Sequence, residues 1–384
     1  MNKLLKPAIL SISLLIIMTN STISPALGEI SESFSNVNPN WVKMILTLPS
    51  IIIIPFSLLS SKMSVTISQR KIIIIGLIFY IFGGIGGSFT ANIYELLFFR
   101  GILGAGMGFL MPFTRSLIAD FFLGNERTKM MGYSNAAANL GSIIATLTAG
   151  WIAVYNWKYV FFIYFIAVIS LLLIIIGLPE PKARNKIESK HYCINSKVII
   201  LATLAFFINV AFYAVVINIA LFIKSKGLGN SQEAGIAMSI LTLAGFLSSV
   251  FLQNLSKTFK RFNTPSSIAL MGIGFFILST GYNLFIIFLA SFMIGFSLGI
   301  LKPTIFLKVV DITPQYSNAF ALSIVSGAIF LGKFLSPFIL NFISFLLNDT
   351  SINLVFAFVG VTLSIASLIS LIYSFHSSQI KIYK

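Results

Sequence analysis

Long apolar stretches are the feature that most limits what this chain can fold into. Twelve segments of about 18 to 32 residues consist mostly of apolar side chains, and a helix needs about 20 mostly apolar residues to cross about 30 Å of hydrocarbon. The stretches are continuous, whereas the strands of a membrane β-barrel alternate every second residue, so we exclude a barrel. A composition of 57% hydrophobic and 9% charged residues also excludes a water-soluble domain and a disordered chain.

The predicted spans form two sets of six. They lie at 5–27, 43–60, 72–90, 96–118, 130–152 and 159–178, and then at 198–223, 234–256, 264–282, 284–310, 316–347 and 351–375. We therefore predict an all-α membrane protein with a six-helix bundle at 1–178, a cytoplasmic linker at 179–197 and a second six-helix bundle at 198–384. The eleventh segment is too long for one straight span, so part of it is expected at the membrane interface. The first is too long for a cleaved signal peptide, and we favour a span.

The basic residues predict the orientation of these spans. If the N-terminus lies inside, 17 of the 26 lysines and arginines fall in cytoplasmic segments and four fall outside. Since cytoplasmic loops of membrane proteins are enriched in these residues, we expect both termini in the cytoplasm. The net charge of +16 then reflects topology, and we expect no binding of nucleic acid. The other five basic residues lie within or near spans: Arg100, Arg115, Lys302, Lys308 and Lys333.

The two halves of the chain share a repeat. Four residues of the fourth span recur 191 positions later in the tenth, where Gly104, Gly108, Pro112 and Asp120 match Gly295, Gly299, Pro303 and Asp311. The same shift relates the fifth span to the eleventh, where Ala137, Gly141 and Ala145 match Ala328, Gly332 and Ser336. Small residues at four-residue spacing let helices in lipid approach closely. We therefore predict two pseudo-symmetric bundles.

Two motifs near the start of the chain resemble those of a known family. Residues 20–30 read NSTISPALGEI and are similar to the motif Asp-x-Thr-Ile…Ala-Leu-Pro-x-Ile, with Asn20 in place of the carboxylate and Gly28 in place of the proline. Residues 57–71 resemble the gating motif Gly-x-Leu-x-Asp-Arg-x-Gly-Arg-Arg. Here Gly, Asp and Gly are replaced by Ser57, Ser61 and Ser64, and the basic positions are Lys62, Arg70 and Lys71.

Two further motifs lie in the fourth and fifth spans. Arg100-x-x-x-Gly104 resembles the motif Arg-x-x-Gln-Gly, and Gly141-x-x-x-Ala145-Thr146-x-x-Ala149-Gly150 is similar to the exporter motif Gly-x-x-x-Gly-Pro-x-x-Gly-Gly. Thr146 replaces its proline, which is present 191 positions later as Pro337. In their order and spacing these motifs resemble the major facilitator superfamily, and within it the twelve-span exporters of drugs and metabolites. The resemblance covers the whole chain.

What this resemblance implies is a secondary active transporter. Two bundles would rock about a central site near the midplane, so that the site opens to one side at a time. The expected substrate is a small organic molecule, exported by a monomer in the cytoplasmic membrane of a bacterium, with protons as the coupling ion and no cofactor or metal. We expect no enzyme activity, because no span carries a cluster of His, Asp and Glu and the chain has no Walker sequence.

Ionisable residues inside a span are costly and are candidates for function. On a helical projection, Met107, Met111 and Arg115 lie within about 60° of Arg100, and the resemblance implies that Arg100 faces the cavity. Packing is the alternative for the methionines, and an interfacial position is the alternative for Arg115 and Lys308. The predicted cavity residues are Asn20, Arg100, Met107, Met111, Arg115, Asn209, Tyr213, Lys302 and Lys333. The predicted gating and packing residues are Ser61, Lys62, Arg70, Lys71, Gly104, Gly108, Pro112, Asp120, Gly141, Ala145, Gly150, Gly295, Gly299, Pro303, Asp311, Gly332 and Pro337.

The charge of this predicted cavity bears on the substrate. Basic residues without acids favour anionic or neutral amphipathic molecules, because a cation would meet like charge in a low dielectric. Asn20 cannot carry a proton, so coupling would need a lysine that changes its protonation state or one of the carboxylates Glu29, Glu32, Asp120 and Asp311. A multidrug pump for cations and a degenerate, non-transporting sensor are the alternatives that stay open.

Overall fold

The fold is described here from a computed structural model, which describes residues 4–180, 196–259, 262–314 and 317–382. The side chains of residues 256, 319 and 373–382 fall outside this description. Most of the predicted linker at 179–197 also lies outside the described residues. The regular structure of the described parts is helical throughout.

The chain divides into two compact units. The first contains residues 1–191 together with Asn230–Gly235, and the second contains residues 192–229 and 236–384. The helices of the first unit are α1 (Leu5–Ser21), α2 (Leu27–Ser33), α3 (Pro39–Met63), α4 (Gln69–Gly86), α5 (Ile93–Phe121), α6 (Gly124–Tyr155) and α7 (Ile166–Gly177). Short 3₁₀ segments lie at Ser24–Ala26, Gly87–Phe89 and Trp157–Phe165.

The second unit contains the remaining helices, except that the first residues of α9 group with the first unit. These helices are α8 (Ser196–Ser225), α9 (Ser231–Val250), α10 (Leu252–Phe259), α11 (Asn263–Ser279), α12 (Leu284–Ile312), α13 (Asn318–Leu346) and α14 (Ile352–Ile382). Because the division cuts α9 near its start, the two bundles at 1–178 and 198–384 stay a prediction.

Eleven of the described helical segments are long and apolar enough to cross a membrane, and the bent pair α10 and α11 makes a twelfth if it counts as one span. The differences from the predicted spans are local. The first span, predicted at 5–27, is broken into α1, a 3₁₀ turn and α2, and it extends to Ser33. Pro25 lies in that turn and has no amide hydrogen with which to continue the helix. The eleventh, predicted at 316–347, is the single helix α13.

The sequence repeat is visible in the helices themselves. In the first unit α5 packs against α3 and α4, while in the second unit α13 packs against α8 and α11 packs against α12 and α14. Helices α5 and α12 each have 29 residues, and their ends are 191 positions apart. Both begin with an asparagine cap, since the Asn92 side chain accepts from the Glu95 amide and the Asn283 side chain accepts from the Ile286 amide, each at 2.9 Å.

Candidate functional site

Arg100 lies at the centre of a hydrogen-bond cluster in the first unit. Its side chain is 0% exposed. The Nε atom donates to the Ile45 carbonyl on α3 at 2.8 Å, and Nη1 donates to the Tyr164 hydroxyl at 3.0 Å. The Nη2 atom donates to the Thr19 carbonyl at 2.9 Å and to Oδ1 of Asn20 at 3.3 Å. We call these five residues the arginine cluster.

Both backbone carbonyls in the arginine cluster lack their usual helical partner. In an α-helix the carbonyl of residue i accepts from the amide of residue i+4. For Ile45 that residue is Pro49, which has no amide hydrogen. For Thr19 that residue is Ile23, whose amide donates instead to the Asn20 carbonyl, at 3.2 Å. Arg100 therefore donates to the Ile45 carbonyl, which would otherwise be unsatisfied in the interior of a membrane protein, and it is one of the donors to the Thr19 carbonyl.

Two tyrosines extend the arginine cluster. The Tyr164 hydroxyl donates to the Thr19 carbonyl at 2.8 Å, and the Tyr80 hydroxyl donates to the Leu15 carbonyl at 3.0 Å. Both side chains are 0% exposed, and their rings meet edge to face with centroids 5.6 Å apart. Neither tyrosine was predicted from the sequence as a site residue. The one usable signal in the sequence was Pro49 inside a span, which indicates an unsatisfied carbonyl but not the donor that reaches it.

The residues predicted on the Arg100 face lie at different depths. Met107 is 2% exposed and lies inside the unit with Arg100. Asn20 and Met111 are half-buried, and Arg115 is exposed. The structure does not place Arg100 on a cavity wall, because each of its three side-chain nitrogens donates within the unit. We therefore interpret Arg100 as a residue that positions helices.

Lys333 is the basic residue in the middle of a span of the second unit. It lies halfway along the apolar segment Phe320–Leu346 of α13 and is half-buried. Its Nζ atom lies 5.4 Å from the ring centre of Tyr213 on α8 and 5.1 Å from that of Phe330. Among the described residues, Nζ makes no ion pair and no hydrogen bond. We call Lys333, Tyr213 and Phe330 the lysine cage.

A charged lysine at this position is costly if it serves stability alone. An ammonium at the centre of a membrane-spanning helix costs about 2.5–3.5 kcal/mol on insertion scales. One aromatic ring returns about 0.5–2 kcal/mol, and the rings offer no lone-pair acceptor to the three N–H donors. At the matching place in the first unit, Ser142 and Ser21 share a neutral hydrogen bond of 2.6 Å. The lysine is therefore better explained by a function than by packing.

The pair of helices α8 and α13 brings predicted cavity residues together. Tyr213 and Lys333 are in contact, and Asn209 lies one turn before Tyr213 on α8. Asn209 is 7% exposed, and its Nδ2 atom donates to the Ala205 carbonyl at 2.8 Å. The other two predicted lysines, Lys302 and Lys308, are exposed on α12. Lys308 donates to the Thr264 hydroxyl at 3.0 Å.

The described carboxylates lie at helix ends or in loops. Asp120 accepts from Nε2 of Gln69 at 3.4 Å, and Glu29 accepts from the Ser231 hydroxyl at 3.0 Å within the first unit. In the described parts of the chain, no group of three or more His, Cys, Asp or Glu residues could hold a metal ion. The described carboxylates are Glu29, Glu32, Glu95, Asp120, Glu126, Glu180, Glu233, Asp311 and Asp349.

The serines of the predicted gating loop form hydrogen bonds to nearby backbone carbonyls. The hydroxyls of Ser57, Ser61 and Ser64 donate to backbone carbonyls three or four residues earlier, at 2.8, 3.0 and 2.7 Å. Arg70 donates to the Ile175 carbonyl at the end of α7. The side chains of Lys62 and Lys71 are exposed. The loop is thus attached to the first unit through Arg70, and its serines satisfy their own helix.

The repeated glycines lie where helix backbones approach each other. A Cβ atom at Gly104 would lie 2.8 Å from Cα of Pro49, and one at Gly108 would lie 2.5 Å from Cβ of Phe56. In the second unit, a Cβ at Gly295 would lie 2.0 Å from the Leu241 carbonyl. The same holds for Gly299 at 2.1 Å from the Gly245 carbonyl, Gly141 at 2.5 Å from Cγ of Leu14, Gly150 at 2.6 Å from the Ser231 carbonyl and Gly332 at 2.5 Å from the Phe206 carbonyl.

The remaining predicted packing residues are distributed over four helices. Pro112, Pro303 and Pro337 lie inside α5, α12 and α13. Ala145 is 0% exposed on α6. Asp311 is exposed in the last turn of α12.

Long apolar helices in two units related by a repeat define the chain as a membrane protein with many spans. The protein-family model of the Major Facilitator Superfamily matches residues 9–337 of the sequence. The chain belongs to this family.

Curated relatives match parts of the chain. It is 32% identical over 140 residues to the multidrug transporter protein MdtP of Bacillus subtilis, covering 36% of this chain and 25% of that protein. It is 26% identical over 197 residues to the multidrug efflux protein YfmO of the same organism, covering 50% and 49%. It is 28% identical over 114 residues to the cis,cis-muconate transport protein of Acinetobacter baylyi, covering 29% and 28%. The chain thus spans about a quarter to about a half of the length of these relatives.

Solved structures match over nearly the whole chain. The D-xylose-proton symporter superposes with a TM-score of 0.77 over 96% of each chain, at 16% identity. The POT family transporter PepTSo superposes with a TM-score of 0.76 over 98% of each chain, at 12% identity. At such identities the likeness concerns the fold alone. It confirms the predicted fold class, while the cytoplasmic position of both termini stays a prediction.

Proposed function

We propose that the chain is a secondary active exporter that moves small organic molecules by alternating access, coupled to protons, and that its substrates are anionic or neutral and amphipathic. The observation that carries this proposal is the distribution of charge within the spans. Lys302 and Lys333 lie away from helix ends and are exposed or half-buried, whereas the described carboxylates lie at helix ends or in loops. In a low dielectric such a distribution favours an anion over a cation.

The relatives support export of organic molecules. Two of those reported above are named for multidrug transport or efflux, and a third is named for muconate, which is an organic anion. The distribution of lysines and arginines favours both termini on the cytoplasmic side of the membrane. The bacterial relatives favour the cytoplasmic membrane of a bacterium. We propose that the protein works there as a monomer, without a cofactor.

Proton coupling needs a group that gains and loses a proton during the cycle. Asn20 stands where the family often has a carboxylate, so this group must lie elsewhere. We assign it to a lysine or to one of Glu29, Glu32, Asp120 and Asp311. Of these, Glu29 and Asp120 accept hydrogen bonds from Ser231 and Gln69.

Purified protein in liposomes with an acidic interior tests this proposal. The probe is radiolabelled naphthalene-2-sulfonate, an anion that stays charged and does not follow a pH gradient by itself. We expect accumulation inside the liposomes that disappears when nigericin collapses the gradient. Equal uptake with and without the gradient would indicate a uniporter and would refute antiport. No transport of anions, cations or neutral probes would favour the non-transporting sensor.

A multidrug pump for cations is the second candidate, and the names of MdtP and YfmO favour it. Tetraphenylphosphonium, a permanent lipophilic cation, distinguishes the two in the same liposomes. If this cation is transported well and Lys302→Gln leaves its rate unchanged, the preference for anions is wrong. We expect the sulfonate to be transported faster than the cation.

A further inference from the structure

We propose that the lysine cage is a subsite for the acid group of an aromatic organic acid, with Lys333 contacting the anionic group and Tyr213 and Phe330 contacting the ring. This inference rests on the proposed transport of amphipathic anions. It adds to that proposal a particular site in the second unit and a chemical class of substrate.

The first support is the state of the Lys333 ammonium group. Its three N–H donors have no hydrogen-bond acceptor and no carboxylate partner among the described residues. The residue is half-buried at the contact between α13 and α8. The described carboxylates of the second unit, Asp311 and Asp349, lie at the end of α12 and after the end of α13. A carboxylate group of a ligand would provide both the charge and the acceptors that are missing.

The second support is the apolar surface around the charge. The ring centres of Tyr213 and Phe330 lie 5.4 and 5.1 Å from Nζ. Phe212 adds a third ring, whose centroid lies 6.1 Å from that of Tyr213. Aromatic side chains offer large contact area with little loss of conformational entropy and stack well with aromatic ligands. A single charge between rings matches a molecule that carries one acid group on an aromatic body.

The third support is the rigid attachment of α13 to α8 at this level. Directly before Lys333, a Cβ at Gly332 would lie only 2.5 Å from the Phe206 carbonyl. Three residues after it, the Ser336 hydroxyl donates to the Val210 carbonyl at 2.8 Å. The backbone on both sides of Lys333 is therefore fixed against α8. A binding group held on packed helices keeps its geometry better than one on a loop.

The first unit provides an internal comparison. Ser142, 191 positions before Lys333, lies at the contact between α6 and α1 and shares a 2.6 Å hydrogen bond with Ser21. A neutral pair therefore satisfies the requirements of packing at this place in the fold. The second unit has a cation there instead, between aromatic side chains.

Equilibrium binding to the purified full-length chain in nanodiscs tests this inference. The probes are 2-naphthoate and its neutral amide, 2-naphthamide, which share the ring and differ in charge. We expect the wild type to bind the acid about tenfold or more tightly than the amide. In Lys333→Gln the affinity for the acid should fall about tenfold, to that for the amide, and Lys333→Arg should keep the preference. Tyr213→Leu should weaken the binding of both probes by a similar factor.

Lys308→Gln is the matched control, since it removes an exposed lysine of the same unit and should leave both affinities unchanged. Gel filtration and the unfolding midpoint of each variant show whether it is folded. The inference is overturned if the wild type does not bind naphthoate, if it binds acid and amide equally, or if Lys333→Gln keeps the preference. Binding needs no transport, so Lys333-dependent binding by a chain that transports nothing would refute the proposed function and leave the subsite standing.

Discussion

The two units each place a cation inside a span, but at different positions of the repeat. Arg100 in the first unit corresponds to Ser291 in the second, and Lys333 in the second corresponds to Ser142 in the first. Arg100 is 0% exposed and donates through three nitrogens, whereas Lys333 is half-buried and its ammonium group lies near two rings, with no hydrogen-bond acceptor among the described residues. The role of an intramembrane cation therefore depends on whether the protein itself supplies acceptors.

In the first unit a proline leaves a carbonyl free to accept from Arg100, and the second unit has no proline at the matching position. Pro49 removes the amide that would bond to the Ile45 carbonyl, and 191 positions later the residue is Ile240, which has an amide. Arginine suits the first situation because its planar fork presents five donors to several acceptors at once. In the second unit Ser291 replaces it, and its buried hydroxyl has no hydrogen-bond partner among the described residues.

Replacing the arginine should have the largest effect on stability. Arg100→Met leaves the Ile45 carbonyl without a donor, which costs about 1–3 kcal/mol. It also removes the charge-assisted hydrogen bond to the Thr19 carbonyl, which keeps only the Tyr164 hydroxyl, so the total loss is about 2–6 kcal/mol. The free energy of unfolding of the purified protein in detergent measures the loss. Arg115→Met is the control, because Arg115 is exposed on the same helix and should change little. Similar values for both variants would mean that the arginine cluster does not hold the first unit together.

The glycine pairs should show how tightly each unit is packed. A Cβ at Gly295 would lie 2.0 Å from a backbone oxygen, and one at its counterpart Gly104 would lie 2.8 Å from Cα of Pro49. We expect both alanine variants to lose about 1–3 kcal/mol of unfolding free energy, with the larger loss in Gly295→Ala. Gly327→Ala is the control, since nothing lies within 4 Å of its Cβ position. The expectation of tight packing at Gly295 is wrong if Gly295→Ala and Gly327→Ala have the same free energy of unfolding.

A double-mutant cycle should connect the arginine to the proline. In Pro49→Ala the new amide is able to bond to the Ile45 carbonyl, so this carbonyl no longer depends on Arg100. The loss caused by Arg100→Met should then be smaller by about 1 kcal/mol in the Pro49→Ala background than in the wild type. The four unfolding free energies measure this coupling. Strict additivity would show that Pro49 is not the reason for the arginine.

The serine pair should give the smallest effect. Ser142→Ala removes the 2.6 Å hydrogen bond to Ser21 between α6 and α1, and interhelical hydrogen bonds in membrane proteins contribute about 0.6 kcal/mol on average. Ser134→Ala removes the similar 2.7 Å bond to Ser13 and should cost about as much. A much larger loss in Ser142→Ala than in Ser134→Ala would indicate a role for Ser142 beyond packing.

Much of the fold could be predicted from the sequence because its signals are local. Apolar runs define the spans. The repeat at a shift of 191 residues predicts that α5 corresponds to α12, and the ends of these two helices are 191 positions apart. The break after α1 was missed, although Pro25 marks it.

The site was harder to predict, because the partners of Arg100 are backbone carbonyls on other helices. Pro49 shows that a carbonyl is unsatisfied, but it does not show that Arg100 and Tyr164 lie near it. For Lys333 the prediction named both the residue and Tyr213, because a charge in the middle of an apolar run is itself a local signal. Phe330 was not named, since a single phenylalanine in an apolar helix is unremarkable as sequence.

The most direct test of this account is the free energy of unfolding of Lys333→Met beside that of Arg100→Met. We expect Lys333→Met to be as stable as the wild type or more stable, because it removes an intramembrane charge that costs about 2.5–3.5 kcal/mol and that the rings offset only in part. Arg100→Met should lose about 2–6 kcal/mol under the same conditions. A loss in Lys333→Met as large as that in Arg100→Met would contradict the account, since both cations would then serve the fold.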